Sequence, residues 1–333
     1  MQRVDAKVIP SKDARRLNLP GIALLVLIGV ALAYAAGLPN YYLRIADFVL
    51  IYILLGIGLN IVVGYAGLLD LGFVAFYAVG AYTYALLASS QLGMHLPFLV
   101  ILGIAAIMGG LAGVLLGIPV LRLRGDYLAI VTLGFGEIIR VLINNADNVT
   151  NGPQGITGLD KAQFFGVSFS TPQDFYWLLL ATVFIVGCFA YRMERSLLGK
   201  TWLAIREDQD AAVGVGIDKT KAKLIAFATS ATIGAIAGVI FAALQRYVSP
   251  ESFTLNESVL VVLIIVIGGI GNIMGVVVGA LVLVIMPELL RDYSEYRMLL
   301  LGIVMMVLII LRPRGLVPER CTPGYIIRRL IFK

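Results

Sequence analysis

Long apolar runs constrain this chain more than any other feature of its sequence. Most of them hold roughly 16–22 residues, enough for a helix to cross a hydrocarbon core of about 30 Å. A β-barrel would instead show alternating segments of about ten residues. Each span in lipid must satisfy its own backbone hydrogen bonds, which a helix does. The sequence therefore predicts an all-α, polytopic transmembrane helical bundle.

The runs predict about 8–10 spans within a transmembrane domain of residues 21–311. A tail of residues 1–20 precedes this domain, and a basic tail of residues 312–333 follows it. The first run resembles a signal peptide, but it is long enough to span, so we expect it to be retained. The predicted spans are 21–38, 45–63, 73–89, 97–118, 127–143, 174–191, 223–244, 259–290 and 297–311.

Basic residues set the expected orientation. Both tails and the connection 192–222 are rich in Lys and Arg, whereas the intervening loops on the other side hold few. Positive loops stay in the cytoplasm, so we expect both termini inside. The net charge of +6 then reflects topology rather than nucleic-acid binding.

The run 259–290 has an awkward length. As one helix it would measure roughly 48 Å, too long for one span and short for two. Gly268, Gly269 and Gly271 interrupt it, with Asn272 following. We expect two short tilted helices or a re-entrant hairpin, with the break facing the protein interior or a pathway. A single strongly tilted helix is the alternative.

A charged segment, residues 202–216, lies within the connection 192–222 between two apolar runs. Trp202, Ile205, Gln209 and Ala212 share one helical face. Ala211 and Ala212 would offer a surface that a partner groove can approach, and Gly214 and Gly216 suit a helix stop. A pore has no need of such a segment, whereas a subunit driven by a soluble motor does. A solvated amphipathic loop is the alternative.

Signals of catalysis are weak in this sequence. Gly199, Lys200 and Thr201 resemble the end of a phosphate-binding loop, but Glu194 stands where that loop needs its first glycine. The single histidine, His95, and two cysteines are too few for a His/Cys metal site. We therefore expect no enzyme activity, no cofactor and no metal.

Two further patterns carry open alternatives. Glu137 and Arg140 share a helix face within a span, where ionisable residues normally face the interior or water. They predict either a pathway or gate element, or a structural ion pair near the outer end. Three glycine stripes at four-residue spacing predict close helix packing, within the chain or at a subunit interface. They begin at Gly109, Gly234 and Gly271.

Several blocks together resemble the permease subunits of branched-chain amino acid ABC importers, specifically the longer M-type subunit. In those importers an acidic residue, alanines and a glycine mark the helix that docks on the ATPase. The resemblance assigns this role to Glu207, Ala211, Ala212 and either Gly214 or Gly216, and Asp208 is a further candidate for coupling to the ATPase. Asn60 joins Glu137, Arg140, Gly268, Gly269 and Gly271 as a candidate pathway or gate residue. The matching blocks are 60–72, 127–140, 151–158, 206–217 and 268–272.

The resemblance also implies partners and a location. It implies a second homologous permease subunit, two ABC ATPases and a periplasmic binding protein, in the bacterial inner membrane. The cargo would be leucine, isoleucine, valine or related small amino acids or amides. A secondary transporter or channel is the alternative, but it would need inverted repeats with ion-binding half-helices, and no clear repeat is visible.

Overall fold

The computed structural model describes residues 39–120, 123, 125–164, 167–290, 297–312 and 315–317. The predicted first span, the tail 1–20 and all but a few residues of the tail 312–333 lie outside the described residues. Each of the other predicted spans coincides with a helix or a helix pair, so the all-α membrane fold is confirmed. The helices are α1 (Asn40–Asn60), α2 (Val74–Leu87), α3 (Phe98–Val120), α4 (Asp126–Asn145), α5 (Asp147–Thr150), α6 (Pro172–Arg195), α7 (Leu197–Glu207), α8 (Gln209–Gly214), α9 (Lys219–Gln245), α10 (Leu255–Gly268), α11 (Ile273–Leu289) and α12 (Arg297–Leu311).

Five helical stretches in the described part are long and apolar enough to cross a membrane. One of them joins α1 to a π-helical turn, Ile61–Tyr65, and forms the buried centre of the bundle. Two further apolar helices, α2 and α11, are shorter. The five stretches are Asn40–Tyr65, Phe98–Pro119, Pro172–Arg195, Lys219–Gln245 and Pro250–Gly268.

Helix α9 packs against α3 and α2 through small residues. A Cβ added at Gly113 of α3 would lie 2.6 Å from the Phe227 carbonyl oxygen of α9. Gly80 of α2 and Gly238 of α9 likewise abut the backbone of the opposite helix. The glycine stripes therefore serve packing within the chain, because their small residues let the backbones approach closely.

Helices α10 and α11 form the broken pair that the length of this run predicts. Gly268 abuts Gly275, and Gly279 abuts Ile264, which is the register of an antiparallel hairpin. Gly269 and Gly271 have φ angles of 126° and 85°, which glycine adopts at little steric cost. Helix α10 has 14 residues and reaches the length of a span only together with the preceding turn Pro250–Phe253, whereas α11 has 17 residues.

Residues 315–317 close the turn of this hairpin. The backbone N–H of Leu316 donates to the Ile267 carbonyl at 2.7 Å, and that of Val317 donates to the Gly268 carbonyl at 2.9 Å. Asn272 Nδ2 donates to the Val317 carbonyl at 3.1 Å. This strap satisfies carbonyl groups that the last turn of a helix otherwise leaves without intrahelical partners.

The long connection between α4 and α6 is ordered at the opposite end of the bundle. It contributes β1 (Ile156–Thr157), β2 (Gln163–Phe164) and β3 (Val167–Ser168). Strands β2 and β3 pair with each other, and β1 pairs antiparallel with β4 (Tyr247–Val248), just after α9. The turn-forming residues of this region therefore fold into a tied loop.

Candidate functional site

The charged segment folds as two helices rather than the single short helix that its sequence suggests. Ser196 caps α7 by accepting a hydrogen bond from Gly199 N. Asp208 interrupts the helix with an extended backbone and caps α8, accepting from Asp210 N at 2.8 Å and Ala211 N at 3.0 Å. An aspartate at this position satisfies two backbone donors that the start of a helix leaves open.

The helical face that Trp202, Ile205, Gln209 and Ala212 share is turned toward the bundle. Trp202 and Ile205 are fully buried, and Gln209 is half-buried. The indole Nε1 of Trp202 donates to the Ala222 carbonyl at 2.8 Å, and Lys223 Nζ donates to Gln209 Oε1 at 3.2 Å. Both bonds seat the segment on the start of α9.

A third contact seats the segment on α1. Arg206 Nη1 donates to the Gly64 carbonyl in the π-helical turn at 2.6 Å. At Gly67, which has a φ of 67°, an added Cβ would lie 2.7 Å from Arg206 Cγ. The charged segment is therefore fastened to two of the central helices, α1 and α9.

The structure separates the predicted docking residues. Glu207, Asp208, Ala211, Gly214 and Gly216 are exposed. Ala212 is only 3% exposed, so the expectation that it contributes to an approachable surface is wrong. Its side chain belongs to the hydrophobic core because α8 turns the same face inward as Trp202 and Ile205.

Large apolar side chains flank the exposed docking residues. Leu203 and Val213 are nearly half exposed, and Val215 is 80% exposed. Gly216, with a φ of 91°, ends the segment, whereas Gly214 lies within α8 and has no positive φ. The face therefore combines small, acidic and apolar residues.

Asp218 starts the next helix immediately after this face. Its carboxylate caps α9, accepting from Thr220 N and Lys221 N, each at 3.1 Å. The backbone N–H of Lys221, and more weakly the Lys221 side chain, hold the pKa of Asp218 below its ordinary value of 3.8. The carboxylate is therefore charged at neutral pH and fixes where α9 begins.

The hairpin turn meets the end of α1. Asn60 is buried, and its Oδ1 accepts from Gly271 N at 2.9 Å. A Cβ added at Gly64 would lie 2.8 Å from Gly271 N. The structure thus brings Asn60 together with the glycine break of Gly268, Gly269 and Gly271. Asn60 lies one helical turn before Gly64, whose carbonyl accepts the hydrogen bond from Arg206.

Glu137 and Arg140 lie elsewhere, on the surface of α4. Arg140 Nε donates to both carboxylate oxygens of Glu137, at 3.0 and 3.1 Å. The two side chains are 47% and 30% exposed, so they do not lie in the interior of this chain. They share the exposed face of α4 with large apolar side chains, among them Ile130, Ile138 and Leu142.

Sequence analysis missed two buried aspartates and one partly exposed glutamate. Asp47 lies in the α1 core, and Asp70 lies in the non-helical link between α1 and α2, both fully buried. Asp70 Oδ1 accepts from Gly72 N at 2.9 Å. Glu257, in the first turn of α10, accepts from the Tyr52 hydroxyl of α1 at 2.5 Å. An acidic residue inside or beside an apolar run was the available signal.

Comparisons with known proteins agree on one family. Residues 41–309 match the family model described as branched-chain amino acid transport system / permease component. The chain is similar to the high-affinity branched-chain amino acid transport system permease proteins LivM of Escherichia coli and Salmonella typhimurium. The identities are 45% and 44%, over 93% of this chain and 78% of each relative.

A more distant archaeal relative agrees with this family assignment. The probable branched-chain amino acid transport permease protein LivM of Methanocaldococcus jannaschii is 27% identical over 86% of this chain and 87% of its own length. No solved structure matches.

Proposed function

This chain belongs to the family of branched-chain amino acid transport system permease components, and on that premise we propose how it works. It is the membrane subunit of an ATP-binding-cassette importer in the bacterial inner membrane, and it moves leucine, isoleucine, valine or related small amino acids or amides inward. Two separate ATPases supply the energy. A second homologous permease and a periplasmic binding protein complete the complex. In this assembly the subunit itself performs no catalysis.

The hydrogen bonds that attach the charged segment to the bundle are the observation that carries this proposal. Trp202, Arg206 and Lys223 tie α7 and α8 to α9 and to the end of α1. A protein that grips the exposed face would displace both central helices together. A merely solvated loop would have no need of three long-range contacts to the bundle.

The exposed face has the composition of a docking surface. Leu203, Val213 and Val215 supply apolar area, and Glu207 and Asp208 supply negative charge. Ala211 is small, so a groove can approach the helix closely there. We propose that these residues, with Gly214 and Gly216, contact an ATPase subunit. Ala212 supports the face from beneath.

We propose that motion at this face reaches the pathway through Asn60. Its bond to Gly271 links the π-helical end of α1 to the turn of the α10–α11 hairpin. Arg206 binds the same stretch of α1 at Gly64. A shift of the charged segment would therefore act on the hairpin turn through a short series of direct contacts.

The exposed ion pair on α4 suggests where the second permease binds. A lipid-facing charge at the helix centre costs at least about 2.5–3.5 kcal/mol by insertion scales. Glu137 and Arg140 are both partly exposed in the single chain. We propose that the second permease covers this face of α4 and that the pathway runs between the two subunits.

The docking proposal is tested by Ala211→Arg in the complete importer. We expect ATPase co-purification to fall about tenfold or more, because a central interface position loses its fit. Ala211→Ser keeps the side chain small and is expected to assemble and transport normally. Normal assembly and uptake in Ala211→Arg would contradict the proposal.

The α4 interface is tested by cysteine cross-linking. Ile138→Cys places a thiol on the exposed face of α4 beside the ion pair, and we expect it to cross-link to the second permease. Ile107→Cys on α3 is similarly exposed and serves as the control, with no cross-link expected. Equal behaviour of the two variants would contradict the assignment.

A further inference from the structure

Glu257 lies much deeper in the bundle than its place in the sequence suggests. Its partner Tyr52 is one of the two central residues of the apolar stretch Asn40–Tyr65. At about 1.5 Å per residue, Tyr52 is about 18–20 Å from either end of that stretch. If the stretch crosses the bilayer, the Glu257 carboxylate lies near its midplane.

Tyr52 binds one oxygen of the Glu257 carboxylate, and the other oxygen is available to a ligand. Tyr52 donates to Oε2 at 2.5 Å, and among the described residues this is the only hydrogen bond to the Glu257 carboxylate. The side chain is partly exposed, and its neighbours Leu255, Asn256 and Val259 are exposed. An ionisable group at such a depth normally faces a pathway or a protein interior, because lipid exposure is costly.

The surroundings of Glu257 join it to the proposed pathway face. Ser258 Oγ accepts from Val74 N at 3.4 Å, so the first turn of α10 abuts the start of α2. The 3-10 turn Pro250–Phe253, just before α10, contacts α4. The turn that carries Glu251 and the helix that carries Arg140 therefore lie on one side of the bundle.

We propose that Glu257, positioned by Tyr52, binds the ammonium group of the amino acid as it passes the midplane. A carboxylate only accepts hydrogen bonds, and an ammonium group only donates them, so the two are complementary. Asp47 and Asp70 are fully buried, so neither carboxylate is accessible to a passing substrate. This inference rests on the proposed transport function, and it adds a recognition residue within the permease.

Uptake by the complete importer tests the role of the charge. Glu257→Gln retains an oxygen for Tyr52 but removes the negative charge. We expect leucine uptake at saturating binding protein to fall about tenfold, because hydrogen bonds to charged groups are markedly stronger than neutral ones. Tyr52→Phe should give a smaller loss, and Asp126→Asn, at the exposed start of α4, should transport normally. Assembly with the ATPases should be unchanged in all three.

Thiol labelling tests the site without transport. In Asn256→Cys, a cationic thiol reagent should react faster than an anionic reagent of similar size, because the neighbouring carboxylate attracts it. Adding Glu257→Gln should abolish this preference. Absence of labelling by either reagent, or a preference that survives Glu257→Gln, would overturn the proposal.

The two possible failures are distinguishable. If the unaltered importer does not move amino acids, the proposed function is wrong. If it does and Glu257→Gln transports equally well, the function stands and the carboxylate is only a tie between α10 and α1.

Discussion

Helix α9 is held in two different ways along its length. Its middle packs on α3 and α2 through glycines that abut opposing backbone. Its start holds the charged segment through two hydrogen bonds that involve the side chains of Trp202, Gln209 and Lys223. Backbone packing leaves no room for adjustment, whereas side chains can rotate. The comparison indicates that α9 is fixed to α3 and α2 through backbone contacts, whereas side chains fix the charged segment to α9.

The largest expected effect comes from placing a side chain in the tight contact. Gly113→Leu should destabilise the chain by about 3 kcal/mol or more, because neither backbone can withdraw. Gly103 lies on the same helix with no atom within 4 Å of an added Cβ, so Gly103→Leu should be tolerated. Thermal unfolding of both variants in detergent measures the difference. Equal stability would show that the helices separate easily.

Removing a contact between the charged segment and α9 should give the next largest effect. Trp202→Phe removes the hydrogen bond from the indole to the Ala222 carbonyl and creates a cavity, at a cost of about 2–3 kcal/mol. The other tryptophan, Trp177, is 43% exposed, so Trp177→Phe should cost no more than about 0.5 kcal/mol. Unfolding and ATPase co-purification would be compared. We expect the unfolding temperature and the amount of co-purified ATPase to fall in Trp202→Phe and to stay unchanged in Trp177→Phe.

The end of the charged segment should give a smaller effect. Gly216 has a φ of 91°, so Gly216→Val should cost about 1–2 kcal/mol. Gly214 lies in α8, where Gly214→Ala should be neutral or stabilising by up to about 1 kcal/mol. Thermal unfolding of the two variants tests this contrast. A larger loss in Gly214→Ala would indicate that α8 has another conformation.

The smallest expected effect is on pH dependence. Binding of Lys221 N lowers the folded-state pKa of Asp218, so its contribution to stability is present above the ordinary pKa of 3.8. That contribution is lost as the pH falls through the lower folded-state value. Asp218→Asn retains a cap without the titration, so its stability should fall less steeply below about pH 4. Parallel unfolding curves for the two proteins between pH 3 and 7 would contradict this reasoning.

The sequence allowed the helices and the hairpin break to be predicted because both depend on local properties. Apolar length determines a span, and 259–290 could not be one regular helix. The burial of Ala212 follows from the face that it shares with Trp202 and Ile205, but the sequence does not show that this face packs on the bundle. Glu257 was missed because the predicted span began at residue 259, where the apolar run starts. The helix itself begins earlier, at Leu255, so its polar first turn fell outside the prediction. Tertiary contacts with α1 place that turn deep in the bundle.

The strap of residues 315–317 has a consequence for the order of synthesis. The carbonyl groups of Ile267 and Gly268 accept from backbone that the ribosome makes only after α11 and α12. Until then, the corner of the hairpin beside Asn60 has open acceptors. The complete corner therefore forms only after α12 has been made, and a chain stopped shortly after α12 would reach the membrane without it.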